Sequence, residues 1–129
     1  DPLWSRGLGD VYKRQSLPRA EYDVVWLIRF WPRACLVTLP SIVAPRGLIV
    51  LSHFAHDPDP RIPRRGEPYL REYTSPPIDK RIQRGELRAL LDHWDGMYGP
   101  HEILDECIER VEDGRPVHSL VLRVHLHRL

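Results

Sequence analysis

Cysteine is scarce in this sequence, neither sign of charge is in excess, and no apolar run is long. The two cysteines, Cys35 and Cys107, lie far apart and make neither a CxxC pair nor a framework of four or six. That excludes a disulfide-stapled secreted scaffold and a cysteine-based zinc site, and both thiols are expected to be reduced core residues. The 19 basic residues are balanced by 18 acidic ones, for a formal charge of +1. No chain-wide field therefore draws in nucleic acid or an anionic membrane. Apolar runs such as Val24–Ile28 and Leu48–Leu51 fall far short of the roughly 20 residues needed to cross a bilayer. A cytoplasmic protein without a membrane partner is the expectation. At 129 residues, 42% hydrophobic, the chain suits one domain. Its 13 prolines and 8 glycines imply long connections, yet stay well below the share that signals disorder.

The first residue is Asp1 rather than Met, and Asp10-Val11-Tyr12-Lys13-Arg14-Gln15 resembles the read-through of a transposase adapter used in preparing sequencing libraries. Residues 1–15 show no helical or strand period, and Gly7 and Gly9 interrupt what pattern exists. They are expected to be a non-native, disordered leader. The domain is then residues 16–129.

From Tyr22 to Phe30 the chain carries Val24-Val25-Trp26-Leu27-Ile28, an unbroken apolar run that predicts a central, parallel strand buried on both faces. Pro32 stops it. Leu36, Leu39 and Val43 then recur at helical spacing over Arg33–Val43, with Pro40 placed to kink or end that helix early. Ala44-Pro45-Arg46-Gly47 reads as a turn, and Leu48–Phe54 as a second buried strand. Residues 57–77 hold six prolines and predict a long surface loop. Leu87, Leu90, Leu91 and Trp94 mark an amphipathic helix closed by Gly96 and Gly99-Pro100. Finally, Asp113-Gly114 between two apolar-rich runs, His101–Val111 and Val117–Leu126, predicts an antiparallel hairpin. The expected fold class is α/β with the order β-α-β-long loop-α-β-β.

Three stretches carry a resemblance beyond that order: Tyr22-Asp23-Val24-Val25 running into Ile28-Arg29-Phe30; Val43-Ala44-Pro45-Arg46-Gly47-Leu48-Ile49-Val50; and Arg84-Gly85-Glu86-Leu87 with Glu112-Asp113-Gly114-Arg115-Pro116. Together they resemble the C-terminal half of the Rossmann-like sheet of class I S-adenosylmethionine-dependent methyltransferases, closest to the small tellurite-resistance-type subgroup. The resemblance covers about residues 16–126. It implies a fragment of a methyl-transferring enzyme, inactive alone, with a small-molecule acceptor whose identity it leaves open. Arg29 and Phe30, at the carboxyl edge of the first strand, would line the S-adenosylmethionine crevice, by the rule that open α/β sheets bind ligands at that edge. His53, ending the next strand, would be the candidate catalytic base. The family's Gly-rich turn and its ribose-binding carboxylate are not found here; Gly7-Leu8-Gly9 follows no strand. Arg46 stands where the family has the first glycine of Pro-Gly-Gly, and a type I turn followed by Gly47 would accommodate it.

The remaining side chains point elsewhere. His53 and His56 beside Asp57 fall short of the four ligands of a closed zinc site, so no metal is expected. His125 and His127 read as a solvated tail, and neither cysteine has a neighbouring histidine to make it a nucleophile. Arg61, Arg64, Arg65, Arg71, Lys80, Arg81 and Arg84, interleaved with Tyr69 and Tyr73, contain the ingredients of a nucleic-acid contact. They are read instead as a solvated loop answering the acidic region Asp92–Asp113, with nucleic acid not an expected partner. The alternative function, from another class, is a non-enzymatic α/β module that binds through the basic proline-rich loop 57–84.

Overall fold

The computed structural model describes residues 21–124. Five strands form one mixed sheet: β1 (Tyr22–Ile28), β2 (Val43–Phe54), β3 (Arg64–Arg65), β4 (Glu102–Arg110) and β5 (Pro116–Arg123), in the spatial order β1-β2-β5-β4-β3. β1 runs parallel to β2, and β3 parallel to β4, while β5 is antiparallel to both of its neighbours, β2 and β4. The helices are α1 (Arg33–Leu36) and α2 (Glu86–Tyr98), with 3-10 turns at Leu39–Ile42 and Ile78–Lys80. The α/β class and the mixed sheet are as expected. The leader at residues 1–15, and His125 and His127, lie outside the described residues.

One face of the sheet is covered. Val25, Leu27, Ile49, Leu51, Leu120 and Leu122 project from β1, β2 and β5 to meet Leu36, Leu39 and Ile42 from the crossover and Leu87, Leu91 and Trp94 from α2. Strand alternation sends the even-numbered residues of β1 the other way, where Val24, Trp26 and Ile28 are exposed, Trp26 by 61%. This corrects the expectation of a strand buried on both faces. An unbroken apolar run is equally compatible with an edge strand covered on one side, and among the described residues β1 is that edge.

The crossover is also corrected. The helix expected over Arg33–Val43 is a single α-turn followed by a 3-10 turn with Pro40 at its start. Proline lacks the amide that a longer helix would need, and its ring crowds the preceding turn. Val43 already belongs to β2. The turn expected at Ala44–Gly47 is a bulge inside that strand: from Tyr22↔Val43 to Val24↔Leu48 the register takes two steps in β1 against five in β2. The end of β5 anchors the bulge, through Arg46 N–H to the Val124 carbonyl (3.1 Å) and Val124 N–H to the Gly47 carbonyl (3.0 Å). Arg46 itself sits at φ 66, in the left-handed region rather than in a type I turn.

The loop expected to lack strand structure holds β3, pinned where Ile108 N–H donates to the Pro63 carbonyl at 2.8 Å. The final hairpin closes as expected. Gly114 adopts φ 93, its N–H donates to the Val111 carbonyl (2.8 Å), and Val111 N–H donates to the Arg115 carbonyl (3.0 Å).

Candidate functional site

The carboxyl ends of β1, β2 and β4 lie along one edge of the sheet, and the predicted site residues gather there. Arg29 follows β1 at φ 57, a conformation that side chains with a Cβ adopt only when their surroundings hold them. What holds it is β2: Arg29 N–H donates to the Ser52 carbonyl, and its guanidinium to Ser52 Oγ, both at 2.6 Å. The guanidinium also lies 5.4 Å from the Phe54 ring centre, which Arg115 approaches to 4.3 Å. Burial and the charge of Arg115 lower the pKa of Arg29. Phe30 follows, half-buried.

His53 lies between Ser52 and Phe54 in β2 and therefore points to the opposite, covered face. It is 6% exposed and stacked on Trp31, with ring centres 6.0 Å apart and planes within 5°. Nε2 lies 2.8 Å from the Lys80 carbonyl. A carbonyl only accepts, so the proton is on Nε2, and Nδ1 is left as a buried lone pair without a partner among the described residues. Burial lowers the pKa of this imidazole. The structure thus brings Arg29 and His53 to one edge but not to one face.

A pair that the sequence reading missed lies on His53's face. His118 is the register partner of His53, is 5% exposed, and its Nε2 lies 2.8 Å from Glu106 Oε2. Burial lowers the pKa of His118, against the opposing pull of Glu106. The pair forms part of the floor of a cavity of about 790 Å³ whose walls come from the loop after β2, the start of α2 and the hairpin strands. Its signal was in the sequence: once Asp113-Gly114 fixes the hairpin, Ile108 falls opposite His118, and Glu106 becomes its diagonal neighbour on the same face.

Arg81 was also under-read, as one charge of a basic loop. It is 2% exposed, donates to the carbonyls of Tyr73 (2.6 Å) and Pro76 (2.8 Å), and stacks 3.6 Å from the Tyr73 ring centre. Other loop cations find carboxylates within the molecule: Arg61 with Asp59, Arg84 with Asp57, and Arg65 with Asp105 in the acidic region. Cys107 is buried, Cys35 half-buried, and both are free thiols. Among the described residues no group of three or more His, Cys, Asp or Glu side chains is placed to hold a metal ion, and no helix is long and apolar enough to cross a membrane.

Against known proteins, the chain is 32% identical over 114 residues to the uncharacterised protein UNK4.09 of Schizosaccharomyces pombe. The matched stretch is 88% of this chain but 27% of that protein, so the chain spans about a quarter of the length of the curated relative it matches. No family model matches the chain. No solved structure matches it either.

Proposed function

We propose that this chain is the C-terminal part of an S-adenosylmethionine-dependent methyltransferase, presenting the carboxyl edge of its sheet to the acceptor. The reading rests on one observation above all: the element order and strand directions, a parallel β1–β2 pair, a long loop, a helix and an antiparallel hairpin, are those that the sequence resemblance implies. The cavity at that edge supports it, since open α/β sheets place their ligands there.

The residues present do not by themselves fit the cofactor. Among the described residues no Gly-rich turn joins a strand to a helix, so the amides that would cradle an anionic or ribosyl group are not supplied. Arg29 and Phe30 offer one wall. The role left to this chain is to shape the acceptor's side of the site and to hold Arg29 rigidly at its rim through Ser52.

The test is S-adenosylmethionine binding by a longer protein that contains this sequence, with and without Arg29→Ala. Binding that weakens about tenfold on loss of the guanidinium is the expected result. A longer protein that does not bind the cofactor removes the assignment.

A further inference from the structure

The cavity beside the Glu106–His118 pair has a chemical character that methyl transfer does not dictate. Its apolar walls are Ile62, Ile82, Leu87 and Leu91. At its floor the pair offers an open carboxylate oxygen: Glu106 Oε2 takes the His118 proton, and no hydrogen bond among the described residues reaches Oε1. The carboxylate is partly open, at 21% side-chain exposure.

Charge sorts the ligand. Arg61 is paired with Asp59 and Arg84 with Asp57, which leaves Glu106 and Arg88 as the lining's remaining charges, one of each sign. Neither net charge is therefore favoured: an anion meets Glu106 and a cation meets Arg88. What remains complementary is an uncharged body with one donor.

We propose that this cavity binds a small neutral molecule with an apolar ring and one hydroxyl, the hydroxyl donating to Oε1 of Glu106. Binding of such a molecule is independent of the methyltransferase reading; only its identification as the methyl acceptor rests on that reading.

The probes are 4-methylphenol, whose hydroxyl stays protonated at pH 7 as that of tyrosine does, its methyl ether 4-methylanisole, and 4-methylbenzoate. Each is titrated into the 129-residue chain by calorimetry, with the His118 ring signals followed by NMR. The phenol should bind at least tenfold more tightly than the ether, because only it can donate to a carboxylate, and it should move the His118 signals. Glu106→Leu should remove that preference while leaving the ether's affinity unchanged. Equal affinities of phenol and ether, no binding of either, or tighter binding of the benzoate would each overturn the proposal. The comparison of probes on the unaltered chain keeps the test decisive even where the variant fails to fold. Failure here leaves S-adenosylmethionine binding by a longer protein untouched, so the two readings fail separately.

Discussion

At Arg46 and Gly47, two adjacent residues carry opposite demands. Arg46 is held at φ 66, where a Cβ costs roughly 1–2 kcal/mol. Replacing it with glycine removes that cost and adds chain entropy to the unfolded state, so Arg46→Gly should stabilise the fold by up to about 1 kcal/mol. Gly47 has no room for a Cβ, which would come within 2.7 Å of Val43 Cγ1 and 2.8 Å of the Ala44 carbonyl oxygen. Gly47→Ala should therefore destabilise by about 1–3 kcal/mol. Urea denaturation of the two variants checks both signs. Trp94 makes a comparable case in the core: it is 2% exposed and its Nε1 donates to the Leu36 carbonyl at 2.9 Å. Trp94→Ala should cost roughly 3–5 kcal/mol, and an unchanged melting curve would refute its placement.

Between elements, the decisive joint is Glu86 at the start of α2. Its carboxylate accepts from Trp31 Nε1 (3.1 Å), Arg33 Nε (2.5 Å) and the Gln83 amide (2.9 Å), tying the crossover to the helix. Burial alone would raise its pKa, but these hydrogen bonds together hold it below the ordinary 4.5. His53 and His118 are buried with pKa values pushed below 6.5. All three groups act in the same direction. The unfolded chain takes up protons that the folded chain resists, so stability falls as pH drops below about 6.5 through the histidines, and falls further below about 4.5 through Glu86. Denaturation midpoints measured from pH 8 to pH 3 should show both declines. Glu86→Gln should make the lower decline shallower and cost about 2 kcal/mol at neutral pH.

The same elements mark where sequence reading succeeds. Helix α2 was legible because Leu87, Leu91 and Trp94 keep helical spacing against one apolar face, and the hairpin because Asp113-Gly114 names its own turn. The crossover was not, since Leu36, Leu39 and Val43 fit a helical stripe although Pro40 breaks it and Val43 belongs to the sheet. The Arg29 and His53 positions at the carboxyl edge were legible from strand ends alone. Their separation onto opposite faces follows from register, as does the Glu106–His118 pair, and register is set by contacts between strands rather than along one.

For the molecule as a whole, the consequence of the topology is a sheet face left open at β1. Val24, Trp26 and Ile28 are exposed side by side on a strand that is also the sheet's edge among the described residues. Edges of this kind template further pairing, and apolar patches of this kind adhere. The chain should therefore self-associate at high concentration. Trp26→Thr should raise its solubility limit without lowering its melting temperature, as light scattering and thermal denaturation would record. An exposed edge at β1 is also what the proposal that this sequence is the acceptor-side portion of a methyltransferase sheet implies. That claim is tested most directly by calorimetric titration of S-adenosylmethionine into this chain, beside a longer protein that contains it. The account predicts no measurable binding by the chain and clear binding by the longer protein; micromolar binding by the chain alone, or none by the longer protein, would contradict it.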